Sequence, residues 1–362
     1  MSTWIYRLAR ASWRARKRVV AAWLAILVVL GYLSLLPAVA WWVGHNYLGD
    51  SRWWMFVLNS VAPYLYLPVP VVMLAGLRWR RWGLLTASLV PAAVFVAMFG
   101  PALLPRQAKV EPVPDGTPTL TVMTFNVHAR NPNPEAVARA ILASDADVVA
   151  LQELAVPMAL ELRRLLADAY PHDDLVLEGG WQGLGVFSRV PLTPLPRPVD
   201  GLGVRNPQLT RLHLPWGEAL LVNVHNLSIP RTLPDWPSEI TYSTRQRERV
   251  AQGLFELATN RDRPLVAAGD FNSTPRSAAY ATVTAALRDA WLEAGFGFGQ
   301  TFPGGPLKPT PFGVPVPDWL LRIDYVFHSE EWRALDARIG PWDGESDHRP
   351  VLVRLAYLGP GA

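Results

Sequence analysis

Two kinds of hydrophobic patterning divide the chain. Residues 19–43, 53–77 and 82–104 are apolar runs without a charged side chain. At about 1.5 Å per residue, each is long enough as a helix to cross a hydrocarbon core of about 30 Å, so three transmembrane helices are predicted. Pro63, Pro68 and Pro70 fall inside the second run, which predicts a kink or partial unwinding there, because proline has no amide proton and clashes with the preceding turn. A proline-rich linker occupies 105–119. Beyond it the pattern changes to short runs rich in β-formers at 120–126, 147–153, 183–192, 208–214, 219–225, 264–269, 322–327 and 351–357, which predict strands. Asn133-Pro134-Glu135 marks a helix start, with Val137, Ala140 and Ile141 on one face. Many strands with fewer helices predict an α/β domain over 120–358, a sandwich of two mixed sheets behind an all-α transmembrane domain.

Charge changes the reading of the basic pI. Residues 1–105 hold ten Lys/Arg and a single acid, Asp50, whereas 106–362 hold twenty-four Lys/Arg and twenty-nine acids. The positive excess therefore lies around the apolar runs, and it carries no argument for nucleic-acid binding. Arg7, Arg10, Arg14, Arg16, Lys17 and Arg18 precede the first run, and Arg78, Arg80 and Arg81 separate the second from the third. By the positive-inside rule residues 1–18 are cytoplasmic, and three spans leave the domain outside, which predicts a multi-pass plasma-membrane protein. The rival reading, a signal peptide over 1–40 cleaved after Ala38-Val39-Ala40, leaves the domain on the same side. With no cysteine, disulfides, thiolate metal sites and cysteine nucleophiles are excluded.

The polar residues of interest sit at strand ends. A strand–helix–strand unit brings Asn126 and Glu153 to one sheet edge, where α/β enzymes place ligands. His225 ends another strand, Asp270-Phe271-Asn272 follows the next, Asp324 lies within a strand, and Ser346-Asp347-His348 precedes the last. Singly, each has an ordinary explanation. Asp270 and Asn272 are turn formers, Glu153 a solvated strand end, His225 a strand-end histidine, and Asp347 a cap beside His348. Asp324, between Ile323 and Tyr325, needs a buried partner. The set, in this order, is what carries weight.

Thr124-Phe-Asn126, Leu151-Gln-Glu153, Asn223-Val-His225, Gly269-Asp270-Phe-Asn272, Arg322-Ile-Asp324-Tyr325 and Ser346-Asp347-His348-Arg-Pro350 resemble the motifs of the endonuclease/exonuclease/phosphatase superfamily, which includes deoxyribonuclease I and neutral sphingomyelinases. The layout is similar to its bacterial three-span members. The resemblance implies a four-layer αββα sandwich and Mg²⁺-dependent hydrolysis of a phosphate ester, with Mn²⁺ as a possible substitute. It implies Glu153, Asn126 and Asp347 at the metal, consistent with a hard cation that wants oxygen ligands and keeps several waters. It implies that Asp270 activates water, Asn272 holds a phosphate oxygen and His225 stabilises the transition state. His348 then binds a phosphoryl oxygen or shares the proton work, with Asp324 fixing its tautomer. Which of Asp270 and His348 is the base stays open. His128 stands where apurinic endonucleases carry an acid or amide, which weakens a DNA-repair reading.

The expected function is hydrolysis of a phosphate ester or pyrophosphate of a membrane lipid, with no obligate protein partner. The alternatives are a tethered extracytoplasmic nuclease, for which Arg205, Arg211, Arg231, Arg245, Arg247 and Arg249 could line a phosphate groove, and a non-catalytic receptor or scaffold. Two proline-stiffened apolar segments, 228–237 and 301–321, adjoin motif residues in sequence. They nominate Trp236, Trp319 and Arg231 as substrate-binding residues of a cleft rim that is greasy at one end and wet at the other.

Overall fold

β1 (Thr119–Asn126) shows the plan of the soluble part in a computed structural model that describes residues 2–105, 110, 112–197, 206–229, 235–310 and 313–359, with the backbone alone for 2–18. Its Leu120 and Val122 enter one apolar core while Met123 and Phe125 enter another, as the two-residue period of a strand dictates. One sheet runs, in spatial order, β11 (Trp332–Ile339), β12 (Val351–Tyr357), β1, β2 (Val148–Gln152), β4 (Leu184–Ser188) and β3 (His172–Val176). The other runs β5 (Leu192–Leu195), β6 (Gln208–Leu214), β7 (Gly217–His225), β8 (Leu265–Asp270), β10 (Asp324–His328) and β9 (Arg288–Asp289). The β1–β2 and β7–β8 pairs are parallel and their other neighbours antiparallel, so both sheets are mixed.

Val122, Val148, Leu221, Val266, Val326 and Val353 fill the space between the sheets. The outer face of the first sheet is covered by α5 (Pro134–Ser144) and α6 (Val156–Leu166) through Val137, Ile141 and Leu162. α7 (Trp236–Thr259) and α8 (Ala278–Thr284) cover the second through Val250, Leu254 and Val283. α9 (Ala290–Ala294) adds Trp291 to the inter-sheet core. The helix start at Asn133 is a true cap, its side chain accepting from Ala136 N at 3.0 Å. Four layers, αββα, result.

The apolar N-terminal part holds α1 (Ser2–Leu48), α2 (Trp53–Ser60), a 3₁₀ turn (Ala62–Tyr66), α3 (Pro68–Arg78) and α4 (Trp82–Leu103). Val19–Leu48 and Trp82–Leu103 are each long and apolar enough to cross a membrane. The second run, 53–77, is interrupted as its prolines predict, but more sharply than a single kinked span. Trp53–Ser60 and Ala62–Arg78 form a pair bent by 70°, so of the three expected spans two stand on their own and a third exists only if that pair counts as one. Proline explains the break, since Pro63 opens the 3₁₀ turn and Pro68 opens α3, where a missing amide proton costs nothing. The chain also divides differently there. Residues 1–47 and 61–100 form one unit, and residues 48–60 join 101–362 in the other. In the first unit Trp41, Tyr66, Phe95 and Phe99 cluster, with the Tyr66–Phe95 and Phe95–Phe99 centroids 5.6 and 5.3 Å apart. In the second unit α2 buries Met55, Phe56 and Asn59 and leaves Trp53 and Trp54 exposed.

Candidate active site

Where the two parallel strand pairs end, amide side chains tie the sheets together. Gln152 Nε2 donates to Thr124 Oγ1 (3.0 Å) and Asn223 Oδ1 (2.8 Å), and Asn223 Nδ2 donates to Leu151 O (3.0 Å) and Gln208 Oε1 (3.1 Å). All four side chains are buried. A buried polar network this well satisfied makes a rigid floor. Sequence reading gave these residues no role, although their signal was visible: amides and a hydroxyl on strands that are otherwise apolar.

Asp270 ends β8, its position paired in register with His225 on β7 and Asp324 on β10. Gly269 makes the approach possible, because a Cβ there would lie 1.9 Å from Val224 O and its φ is +150°. Asp270 Oδ2 accepts from Asn126 Nδ2 and Asn272 Nδ2, both at 3.0 Å, and Oδ1 accepts from Asn272 N at 2.8 Å. The Nε2 atoms of His225 and His348 each lie 3.8 Å from Oδ2. Glu153 accepts from Asn126 Nδ2 (3.3 Å) and Ala129 N (3.2 Å), with His225 Nε2 at 3.6 Å. His348 Nδ1 bonds Asp324 Oδ2 at 2.9 Å, and Asp324 Oδ1 has no hydrogen-bond partner among the described residues. Ser346 ties the last motif to the first, donating to Asn126 O at 2.7 Å and accepting from His348 N at 3.1 Å. The fold thus gathers Asn126, Glu153, His225, Asp270, Asn272, Asp324 and His348, with Asp347 buried beside His348.

Three residues here, His128, Glu153 and Asn272, hold left-handed backbone at φ 60°, 52° and 48°. Such non-glycine conformations cost about 1–3 kcal/mol each and persist where surrounding bonds over-determine them. Burial pushes Asp270 up to about 7, with Asp324 adding to the rise and His348 opposing it. Burial alone would lower His348, but the carboxylates of Asp324 and Asp270 outweigh it and hold the imidazole up at about 10. Glu153 is also raised, by burial first, against the pull of His348 and its hydrogen bonds. Its side chain is 12 % exposed against 1 % for Asp270 and Asp324, so an incoming group meets Glu153 first.

The donor set fits a hard cation. Glu153 lies within the field of Asp347, which adds to the rise in its pKa, and with the Asn126 amide the two carboxylates offer the oxygen ligands that a divalent ion takes. Asp270, Asp324 and His348 also place one ligand atom each within 4.8 Å of one another. The Asp324–His348 bond already engages one oxygen and one nitrogen of that group, whereas Glu153, Asn126 and Asp347 offer oxygen donors outside it. Asn126 currently turns its nitrogen to Glu153 and Asp270 and its oxygen to His128 N (3.0 Å). Binding a cation through that oxygen requires the amide to turn.

Of the nominated rim residues, Trp319 is half-buried and packed into its own loop. It lies under the Arg349 guanidinium (4.3 Å), edge-on to Trp342 (5.4 Å), on a glycine whose Cβ would strike its ring. The loop still adjoins the site, since Phe302 bridges to Leu321 and its ring lies 4.8 Å from that of His348. Trp236 is half-buried at the start of α7, and Arg231 lies outside the described residues. Sequence reading missed two attachments. Asn59 O accepts from Thr274 Oγ1 at 3.5 Å, two residues beyond Asn272, and Ala102 O accepts from Gly297 N at 2.8 Å, in the segment leading to Phe302.

The model of the Endonuclease/Exonuclease/phosphatase family matches residues 123–348. Among solved structures, D. rerio TDP2 complexed with single strand DNA product is similar at 17 % identity and TM-score 0.51, over 66 % of this chain and 98 % of that one. Sphingomyelinase C from Streptomyces griseocarneus is similar at 20 % identity and TM-score 0.46, over 66 % and 99 %. A protein of the same family from Beutenbergia cavernae is similar at 24 % identity and TM-score 0.47, over 67 % and 72 %. No curated protein matches significantly.

Proposed function

Because the chain belongs to the endonuclease/exonuclease/phosphatase family, we propose that it is a membrane-anchored, outward-facing, Mg²⁺-dependent phosphoesterase that hydrolyses a phosphate ester or pyrophosphate of a lipid. The family carries the reaction class, metal-dependent hydrolysis of phosphoester bonds. One observation carries the lipid: the segments flanking the apolar helices, 48–60 and 101–103, attach to the turn after Asn272 and to the segment leading to Phe302. These are the surroundings of the reacting groups, which supports a reading in which the substrate is a membrane lipid. The exposed Trp53 and Trp54 of α2 suit the headgroup level. Counting the bent pair Trp53–Ser60 and Ala62–Arg78 as one span gives three crossings, and with the basic residues 1–18 in the cytoplasm an odd number of crossings puts the domain outside.

In this reading Asp270, oriented by Asn126 and Asn272, positions the attacking water and takes its proton. His348, its Nδ1 bound to Asp324, turns Nε2 to the phosphoryl group and donates there, with Asp324 keeping the imidazole oriented. Asn272 holds a phosphate oxygen. His225, facing both Glu153 and Asp270, stabilises charge in the pentavalent transition state. A cation held by Glu153, Asn126 and Asp347 would supply charge neutralisation and alignment for in-line displacement.

The nuclease reading loses part of its groove, because Arg211 lies 3.6 Å from Glu218 and Arg247 is buried. The test is to assay the full chain against phosphoesters embedded in vesicles and against single- and double-stranded DNA. Preference for the vesicle substrate supports the proposal; preferential DNA cleavage overturns it. A reporter active only outside the cytoplasm, fused after Ala362, should be active.

A further inference from the structure

Asp50, the single acid of residues 1–105, is buried. Its Oδ2 accepts from Ala278 N at 2.6 Å and its Oδ1 from Asn59 Nδ2 at 2.7 Å. Ala278 closes the turn that begins at Asp270, and Asn59 reaches Thr274 in the same turn. The other side of that turn is held by the catalytic strands: Asn226 N donates to Asp270 O (2.9 Å), Asn272 Nδ2 to Asn226 O (2.9 Å) and Tyr325 Oη to Ser273 O (2.8 Å). A second contact runs in parallel. The Arg247 guanidinium lies 4.4 Å over the buried ring of Phe56 and donates to Leu227 O (2.9 Å), two residues beyond His225, and to Thr244 Oγ1 (3.1 Å).

We propose that Asp50 and Phe56 are positioning residues for the hydrolysis: the segment 48–60 clamps the turn that carries Asn272 and, through Arg247, the segment that follows His225. Nothing in the reaction uses Asp50 or Arg247 directly, yet both are buried, where an unpaired charge is expensive. Burial lowers Arg247 to about 10, and the first charge opposing that fall is Asp50, followed by Asp270. The active site is therefore completed by residues that lie before the last span in sequence. This rests on phosphoester hydrolysis by the site and not on the lipid.

The test uses the full chain in detergent, with Mg²⁺ and the soluble diester bis(p-nitrophenyl) phosphate, so that failure of the lipid reading leaves it intact. Asp50→Ala and Phe56→Ala should each lower kcat about tenfold, the scale of a small misplacement of reacting groups, with KM within about twofold. Asp50→Asn, which keeps an acceptor for Ala278 N, and Phe56→Tyr, which keeps the ring, should recover most of the loss. Asn46→Ala, exposed on α1, is the control. Folded Asp50→Ala and Phe56→Ala proteins with wild-type kcat would overturn the proposal, as would losses the conservative variants do not recover. If the alanine variants do not fold, hydrogen exchange of the unaltered chain decides. Amides of 271–278 protected as strongly as those of 53–60 support the clamp, and exchange at open-loop rates overturns it.

Discussion

Arg322 and Asp324 are separated by one residue and both are buried, but they belong to clusters built on opposite principles. Arg322 grips Asp289 with both ends of its guanidinium, at 2.7 and 3.1 Å, and lies 4.7 Å over the Tyr325 ring, while Tyr280 Oη donates to Asp289 Oδ2 at 2.6 Å. Burial would lower the Arg322 pKa, but Asp289 outweighs it and the net shift is upward. That cluster is closed. Asp324 binds His348 through one oxygen and leaves the other without a partner among the described residues, and Asp270 faces two histidines at 3.8 Å, beyond hydrogen-bond reach. A structural charge closes on itself, whereas a reactive cluster keeps atoms in reserve for what enters it.

Breaking the closed cluster should have the largest effect. Arg322→Met strands Asp289 without its cation and should destabilise the domain by about 3–5 kcal/mol, measured by denaturant unfolding of the full chain. A loss below about 1 kcal/mol would show that the pair is dispensable. The open cluster should respond first in turnover. Asp270→Asn or His348→Ala should each lower kcat by at least about 10²-fold. Asp270→Asn, which removes a carboxylate charge that burial disfavours, should melt no earlier than the unaltered chain, whereas His348→Ala leaves buried Asp324 without its partner and should also lower stability. Near-normal turnover in either would mean the roles are wrongly assigned.

A pH series in EDTA sharpens the contrast at smaller amplitude. His348 is held at about 10 in the folded protein, against about 6.5 for an unperturbed histidine. Its contribution is therefore complete below about pH 6.5 and is lost as pH rises toward 10, because the folded state binds the extra proton. Stability should fall across that window, and Asp324→Asn should flatten the fall. An equally steep fall in the variant would assign it to other groups. Smallest is the exposed pair Arg163–Asp173, 49 % and 21 % exposed, where Asp173→Ala should change stability by under about 1 kcal/mol and leave kcat alone.

What could be read from the chain beforehand follows the same division. The strand ends carrying Asn126, Glu153, His225 and Asp270 were legible because period-two alternation and punctuating polar residues are local signals. The break near Ser60 was signalled by Pro63 and Pro68, but the grouping of 48–60 with 101–362 was not. Trp53, Trp54, Met55 and Phe56 are apolar whichever way they face, so hydropathy cannot tell a span from a helix packed on α7. Arg247 counts in sequence among six arginines that could line a groove in the nuclease alternative, because sequence does not reveal that Phe56 covers it. The amide bridge of Gln152 and Asn223 joins residues 71 apart, and no local pattern pairs them. The packing of Trp319 depends on Gly304 and Arg349 across two loops, and no local pattern shows it.

The open cluster is most directly probed by cation binding at Glu153. Mg²⁺ should raise the melting temperature of the unaltered chain and support phosphodiester hydrolysis, by up to about 2.7 kcal/mol of added stability at a hundredfold excess over Kd. Glu153→Gln should keep the metal-free melting temperature, lose the Mg²⁺-induced rise and lose the hydrolysis together. Undiminished hydrolysis in EDTA, or a Mg²⁺ response unchanged in Glu153→Gln, would contradict the assignment of this pocket.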